Sequence, residues 1–475
     1  MNTRLLLNAE PRLTQNQTNY AGMKMFPNQG LNRTAPSLRL RRATLSLALI
    51  SSLAFIPATL LSSASQAAET QSTHGQRQTV KTPALREKIY KVLTEAQAKA
   101  EENQPAEALK ILDGLKKSSG LNSYEAAMMW KFYAYIYYSQ DNHQQAIQSY
   151  ENLLRQEALP RALELEALYS AGQLYFAQEN YKKSIDYLDR WFALTDTPTP
   201  QAYIMLGQAY YQLNQMNKAL PPIRSAIAMA EQSEGRAKES WYLLLRALYF
   251  EQNNYQAGAD VLEKLIQYYP KKEYWVQLSS AYGELKQESK QLSTLEIAYR
   301  QGLLDRESEW LTLAQLMIFN DIPYKAAKVL EKGIDKGIIR PEKDNLKLLS
   351  YAWSTAQEAK KALPVLVQAA ATSQSGEIDI QLGSTYYQLD EWNQAVRYLR
   401  EGISKGDLKH KGNAYLLLGL SLFNMNEFED ARYAFKQAAT FDGAKTSANQ
   451  WLNYVDNEIQ RRDLLAQTLK SMDTP

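Results

Sequence analysis

The chain has 475 residues, 45% of them apolar and 22% charged, so it carries enough apolar side chains to bury a core. It contains no cysteine and only three histidines, which excludes disulfides, thiolate metal sites and cysteine nucleophiles. The net charge of +3 comes from the first 68 residues, with seven Lys/Arg and one Glu, because the remainder has 47 Lys/Arg against 50 Asp/Glu. The mildly acidic main part lacks the basic surplus that nucleic-acid binding requires.

The leader, residues 1–68, ends in the three parts of a secretory signal peptide. Three arginines between residues 39 and 42 precede the apolar stretch 43–61, and Ser65-Gln66-Ala67 provides small residues for cleavage near 67/68. The alternative is an uncleaved inner-membrane anchor, because 19 residues are just enough to span a bilayer. In both interpretations the positive flank stays inside the cell, so the main part of the chain is expected in the periplasm after a flexible linker at 69–84.

One sequence pattern recurs every 33 to 39 residues from about residue 85 onward. Its clearest copy is Tyr203-x-x-Leu206-Gly207-x-x-Tyr210. This pattern resembles the tetratricopeptide repeat (TPR), which has a period of about 34 residues. The resemblance implies that each repeat is a pair of helices. The Gly or Ala of the first helix, called the crossing slot below, lets the second helix approach closely.

The second helix of each copy also has a small residue where it crosses the first helix. The ten aligned copies have nine small residues and one glutamine at this position: Ala108, Ala146, Ser184, Ala219, Gly258, Gln291, Ala326, Ala362, Ala395 and Ala431. Larger side chains there would push the helices apart, and the copy with Gln291 is interpreted as a degenerate repeat. The pattern predicts an all-α fold. We expect a right-handed α-solenoid of about ten TPR helix pairs over residues 85–443, followed by a C-terminal capping helix and tail at 444–475.

The sequence has no motif for catalysis or cofactor binding. It lacks a Gly-rich phosphate loop, a G-x-S-x-G nucleophile elbow and an H-E-x-x-H zinc motif. Carboxylate pairs such as Glu164 and Glu166 are expected on solvated helix faces. His143 is placed at the end of a first helix, in the slot that Tyr181 and Tyr255 take elsewhere, and is interpreted as a packing substitute. We therefore expect a non-enzymatic protein with no cofactor and no metal.

The inner face of the repeats is the candidate binding surface. In a TPR superhelix the first helices line a groove, and the residues three before, one after and four after the crossing slot point into it. At these inner-face positions the sequence predicts a partner-binding set: Lys131, Tyr135, Tyr138, Tyr169, Gln173, Phe176, Gln208, Tyr211 and Phe250. Rings suit the apolar side chains of an extended peptide, and glutamines suit its backbone. The alternative is that these rings fill contacts between adjacent first helices.

Three aromatic segments carry a narrower resemblance: Trp130–Gln140, Gln173–Phe176 and Tyr187–Phe192. Together with the leader, the absence of cysteine and the repeat number, they resemble the periplasmic TPR component of TonB energy-transduction systems. The resemblance implies an accessory protein working beside TonB, ExbB and ExbD, which use the proton gradient to drive siderophore or haem uptake. It implies no catalytic residues. The alternative is a TPR adaptor for cell-envelope assembly, serving cell-wall enzymes, pilus assembly or polysaccharide export.

Overall fold

The computed structural model describes residues 84–118 and 120–472, and within these ranges every regular element is a helix. The helices follow one another as ten pairs and a long terminal helix: α1 (Glu87–Glu101), α2 (Pro105–Lys117), α3 (Ser123–Ser139), α4 (His143–Leu154), α5 (Arg161–Ala177), α6 (Tyr181–Leu194), α7 (Pro200–Gln212), α8 (Met216–Glu234), α9 (Glu239–Glu251), α10 (Tyr255–Tyr268), α11 (Lys272–Glu284), α12 (Glu288–Arg300), α13 (Glu307–Phe319), α14 (Pro323–Asp335), α15 (Lys343–Thr355), α16 (Ala359–Thr372), α17 (Glu377–Gln388), α18 (Trp392–Lys405), α19 (Lys411–Asn424), α20 (Phe428–Ala438) and α21 (Asp442–Met472). The predicted all-α solenoid of about ten TPR-like helix pairs is confirmed.

The chain divides into two compact units, and the division falls within α8. Unit 1 comprises the described residues up to Ala230, with the helix pairs from α1/α2 to α7/α8. Unit 2 begins at Glu231 and contains α9 to α21. The predicted leader and nearly all of the linker lie outside the described residues. None of the helices described is both long and apolar enough to cross a membrane.

Each helix pair turns on one residue in the left-handed region of the backbone. Ten such residues have φ between 54° and 64° and lie seven positions after the crossing slot: Asn103, Asp141, Glu179, Asn214, Asn253, Lys286, Asp321, Gln357, Asp390 and Asn426. Seven of the ten are Asn or Asp, the side chains that tolerate this conformation best after glycine. Several of the following residues cap the second helix, as where Asn142 Oδ1 accepts the backbone N–H of Gln145 at 3.2 Å.

The crossing slots bring the two helices of a pair into close contact. A Cβ added to Gly207 would lie 2.4 Å from Cγ1 of Ile223, and one added to Gly383 would lie 2.6 Å from Cγ of Leu399. All ten predicted crossing residues of the second helices are buried. In the third pair the hydroxyl of Ser184 also donates to the carbonyl oxygen of Gly172 at 2.8 Å, across the helix crossing. The predicted repeat register is therefore the observed one.

Gln291, the exception in the predicted pattern, fits because its neighbours leave room for it. Its side chain lies beside Gly283, where an added Cβ would be 2.7 Å from Nε2 of Gln291. Seven of the other nine repeats have a ring or a branched side chain at that position of the first helix, so the glutamine fills space that Gly283 leaves open. The hydroxyl of Ser279, in the crossing slot, donates to the backbone oxygen of Gln291 at 2.9 Å. The degenerate repeat thus keeps the same crossing.

Adjacent pairs are joined by hydrogen bonds from aromatic side chains to carboxylates. The donor lies on a first helix, three residues after the crossing slot, and the acceptor lies on the second helix of the preceding pair. Three bonds follow this rule: Tyr175 to Glu151 at 2.7 Å, Tyr282 to Glu263 at 2.5 Å and the indole N–H of Trp353 to Glu331 at 3.1 Å. Charged acceptors make such bonds stronger than neutral ones, so they fix each pair against the next.

The terminal helix α21 begins at Asp442, two residues before the predicted boundary at 444. It packs on the last pair through Val455, which is fully buried, and Trp451, whose ring lies 5.8 Å from that of Phe435. Its far half extends past this contact and is exposed to solvent. A capping helix is expected to expose polar side chains, but three leucines are exposed in this half: Leu464, Leu465 and Leu469.

Candidate partner-binding surface

The predicted binding surface has nine residues. All of them except Tyr211 and Phe250 are half-buried and lie on α3, α5 and α7 of unit 1. They lie three before, one after or four after the crossing slots of three successive first helices. Tyr211 is the exception in this unit, since only 6% of it is exposed and it acts mainly as a packing residue. The structure therefore places eight predicted residues on three neighbouring helices, and the ninth, Phe250, on α9 of unit 2.

In five repeats, the ring four residues after the crossing slot packs against the start of the second helix of the same pair. Five such pairs have centroids 5.0 to 6.1 Å apart: Tyr138–His143, Phe176–Tyr181, Phe250–Tyr255, Tyr387–Trp392 and Phe423–Phe428. His143 is accordingly the first residue of α4, and its predicted place at the end of a first helix was wrong. Helix α3 ends at Ser139, four residues before His143, and the left-handed Asp141 forms the turn between the two helices. These rings are thus partly packing residues and partly accessible.

Lys131 makes an ion pair that the sequence did not indicate. Its Nζ lies 2.6 Å from Oε2 of Glu166, and the pair joins the inner faces of α3 and α5. The Lys131 side chain is 16% exposed and that of Glu166 is 41% exposed. Glu166, which was expected simply to be solvated, therefore neutralises the single predicted cation of this surface. An anionic ligand would have to compete with that carboxylate.

Tyr169 belongs to a chain of rings between α5, α6 and α7. Its centroid lies 5.3 Å from that of Trp191, which is 5.1 Å from Phe192, and Phe192 is 4.6 Å from Tyr203. Burial raises the pKa of the Tyr169 hydroxyl above its ordinary value. For Tyr169 the packing interpretation is therefore the stronger one, although half-burial leaves part of its ring on the surface.

The glutamines contribute polar groups to the same face. Gln173 and Gln208 are half-buried at the position after the crossing slot, where Tyr135 lies on α3. The Oε1 atom of Gln208 is buried and has no hydrogen-bond partner among the described residues. A buried carbonyl oxygen without a donor is costly, so this atom would gain from the N–H of a bound peptide.

Sequence reasoning missed Arg246, the residue in the crossing slot of α9. It is only 6% exposed, and its Nη1 donates to Oε1 of Gln277 on α11 at 2.5 Å. Burial lowers the pKa of its guanidinium below the ordinary value. The signal was present in the sequence, because aligning the first helices on their crossing slots gives small residues everywhere except at Arg246.

Two further features of the described chain bear on the question of chemistry. No group of three or more acidic or histidine side chains there has the arrangement of a metal site. An open cavity of about 420 Å³ between α12 and α14 is lined mostly by charged residues, four of which form two ion pairs. Arg300 pairs with Glu296 at 2.5 Å and Lys328 pairs with Glu331 at 3.0 Å.

Comparison with known proteins agrees with the repeat geometry. A family model for tetratricopeptide repeats matches residues 380–447, and one for the N-terminal ARM repeats of tetratricopeptide repeat protein 21 matches residues 73–281. The chain is built of TPR-like repeats. TPR and ARM repeats typically form scaffolds without catalytic activity. No curated protein matches the chain.

Solved structures similar to this TPR chain share little sequence with it. A MamA protein is 21% identical over 38% of this chain and 97% of its own, with a TM-score of 0.29. YrrB, described as a TPR protein with an unusual peptide-binding site, is 18% identical over 36% and 83%, with a TM-score of 0.30. A TPR protein from Parabacteroides merdae is 14% identical over 56% and 98%, with a TM-score of 0.31. At such TM-scores no functional conclusion follows from the likeness.

Proposed function

We propose that this TPR protein is a non-enzymatic periplasmic scaffold that binds a protein partner on the inner face of unit 1. The observation that carries the proposal is the buried Oε1 of Gln208, which has no hydrogen-bond partner among the described residues and lies among half-buried rings on three successive first helices. Rigid rings bury apolar area at little cost in rotamer freedom, so they suit the side chains of an extended segment. The glutamine supplies the acceptor that the backbone of such a segment needs.

We propose further that the partner belongs to a TonB system, where the protein would be an accessory component for siderophore or haem uptake. This step is supported by the sequence resemblance around Trp130–Gln140 and by the signal-like leader. An adaptor for cell-envelope assembly has the same fold and compartment. Capture of the tagged protein from membranes separates the two. TonB, ExbB or ExbD peptides favour the first assignment, and cell-wall synthases or secretin components favour the second.

Growth on haem or siderophore iron tests the TonB assignment in the cell. The gene is deleted in a strain that also lacks any second TonB set, so that no parallel system supplies energy. We expect impaired growth on these iron sources and normal growth on free iron. Unimpaired growth on haem and siderophore iron in the doubly deleted strain would count heavily against this assignment.

A pair of matched double substitutions tests where the partner binds. Tyr138→Ala with Phe176→Ala removes two inner-face rings of unit 1, and Tyr387→Ala with Phe423→Ala removes their equivalents in unit 2. We expect the first double variant to weaken partner binding by about 2 kcal/mol or more, the scale of an interface hot spot, and the second to weaken it less. Each ring also packs on its own second helix, so affinity must be compared at equal folded fraction. Equal losses in both variants would place the binding surface elsewhere.

Gln208→Ala gives a sharper version of the same test. Because the Gln208 Oε1 has no partner among the described residues, its removal costs no internal hydrogen bond there. We expect partner binding to weaken while the melting temperature stays within about 2 °C of the parent value, the shift of a near-neutral substitution. Unchanged affinity in Gln208→Ala would refute its role as a peptide acceptor.

A further inference from the structure

Arg246 is a buried cation at a position built for small side chains. The other nine repeats have Ala, Gly or Ser in the crossing slot: Ala96, Ala134, Gly172, Gly207, Ser279, Ala314, Ser350, Gly383 and Gly419. The second helix of this pair has Gly258 at the crossing, and the Phe250 ring covers it so closely that an added Cβ would lie 2.0 Å from Cε1 of Phe250.

The charge of Arg246 has no negative partner within the described chain. Its one hydrogen bond there goes to the neutral amide oxygen of Gln277 at 2.5 Å. The nearby carboxylate of Glu239 is already occupied, since it accepts the hydroxyl of Tyr274 and pairs with Lys271 at 2.7 Å. Burying an ionised group with a neutral partner alone is unfavourable, and a bound carboxylate would remove most of that cost.

Arg246 and Gln277 lie on neighbouring first helices of unit 2, beside half-buried inner-face residues. On α9 Arg246 is three residues after Leu243 and four before Phe250, both half-buried inner-face residues. Its partner Gln277 on α11 follows Val276, which is also half-buried at an inner-face position. The bond between the two side chains thus spans the seam between α9 and α11, with apolar residues on either side. A ligand that reaches it along this face meets apolar surface around one fixed positive charge.

We propose that Arg246 and Gln277 form a carboxylate-binding site for an Asp or Glu side chain of a partner segment with apolar residues beside it. The guanidinium has several N–H groups besides the one that Gln277 accepts, and its planar fork matches a carboxylate. A single cation suits one carboxylate better than a phosphate group, whose second charge would need another partner. This inference rests on the proposed function, since it names the chemistry of one partner segment.

The stability of Arg246→Met separates a binding residue from a structural one. Methionine keeps an unbranched, flexible stem of similar reach and removes the charge. Without ligand we expect its melting temperature to equal or exceed that of the parent protein, because replacing a buried, unpaired charge by an apolar side chain is neutral or stabilising. A melting temperature lowered by several degrees would show that the arginine holds α9 to α11 and would overturn the inference.

Acetate is the probe for the site itself, because it carries the carboxylate of an Asp or Glu side chain without the peptide backbone. In ¹⁵N-arginine-labelled protein, the Nε–H signal of Arg246 is identified by its absence in Arg246→Met. Acetate replaces chloride at constant ionic strength. We expect the Arg246 signal to shift saturably with acetate concentration. Arg300 on the surface of α12 is the control, and its signal should show no saturable shift. No shift, or equal shifts at both arginines, would refute the site.

Two capped peptides then test selectivity, Ac-Leu-Ala-Glu-Ala-Leu-NH2 and the same sequence with Gln in place of Glu. We expect the Glu peptide to bind the parent protein about tenfold more tightly, the scale of a charge-assisted hydrogen bond, and both to bind Arg246→Met equally. Equal binding to the parent protein would overturn the inference.

Acetate binding at Arg246 with no protein captured from membranes would refute the proposed function and support the anion site. Partner capture unaltered by Arg246→Met would overturn the inference alone.

Discussion

Replacing Gly207 by alanine probes the closest helix crossing in unit 1. The added methyl group would lie 2.4 Å from Cγ1 and 3.0 Å from Cδ1 of Ile223, and 3.2 Å from the backbone oxygen of Ala219. Contacts under 3.0 Å are essentially never seen for real Cβ atoms, so α7 and α8 must move apart or Ile223 must leave its rotamer. Ile223 is fully buried, which leaves it little room to move.

The expected size of the effect follows from two opposing terms. Alanine favours the helix over glycine by about 1 kcal/mol. Overpacking a well-filled contact costs about 1–3 kcal/mol. The free energy of unfolding of Gly207→Ala should therefore fall by roughly 0–2 kcal/mol. If the clash with Ile223 is the cause, then Ile223→Ala should cost less in the Gly207→Ala background than alone, by about 1 kcal/mol or more.

Two other glycines of unit 1 provide matched controls for the same substitution. Gly172 occupies the crossing slot of α5, but its added Cβ would lie 3.3 Å from Cγ of Leu188, a contact that a small shift relieves. Gly114 lies within α2, is exposed, and would have nothing within 4 Å of the new methyl group. We expect Gly114→Ala to stabilise the protein by about 0.5–1 kcal/mol and Gly172→Ala to be near neutral.

Urea denaturation followed by circular dichroism measures this series, and hydrogen exchange shows where the change lies. The midpoints should fall in the order Gly114→Ala, Gly172→Ala, Gly207→Ala, with protection lost mainly in α7 and α8 for the last variant. If Gly207→Ala were as stabilising as Gly114→Ala, the packing of Gly207 on Ile223 would be wrong.

Two further predictions concern the ends of the repeat array. Ala431→Leu should overpack the fully buried crossing of the last pair and cost about 1–3 kcal/mol, with protection lost near the C-terminal end, and an unchanged melt would contradict the register there. Arg86 lowers the pKa of the buried Glu125 carboxyl to about 2, so the pair stabilises the fold above pH 4.5 and the stabilisation is lost as the pH falls towards 2. Glu125→Gln should remove roughly 1–2 kcal/mol at pH 7, discounted because Arg86 is exposed, and should flatten the acid dependence of stability between pH 5 and 2. An acid melt of Glu125→Gln with the parent's slope would refute that assignment.

The repeat register was predictable because it depends on residues that cannot be exchanged freely. A slot such as Gly207 faces a backbone at close range, and Ala395 and Ala431 have no space for a larger side chain. These constraints act within one helix pair and recur in every copy. They therefore appear in the sequence as a period, and the turn residues such as Asn214 repeat with it.

Contacts between pairs were harder to predict, since they depend on the rotation of one pair against the next. The ion pair of Lys131 with Glu166 joins residues 35 positions apart, and no local pattern marks it. The same holds for Arg246 and Gln277, which are 31 positions apart. Gln291 was recognised as an exception, but its tolerance depends on the space beside Gly283, which only the folded pair reveals.

The inner faces of the two units differ in the kind of selectivity they can provide. In unit 1 the cation Lys131 is already neutralised by Glu166, so binding there depends on rings and on the unpaired acceptor of Gln208. Rings accept many apolar side chains, and such a surface gives affinity with broad tolerance. In unit 2 the buried charge of Arg246 is paired only with an amide, so a neutral segment leaves it unsatisfied and an acidic one does not. Partner choice should therefore depend more on Arg246 than on any single ring, whereas overall affinity should depend more on the rings.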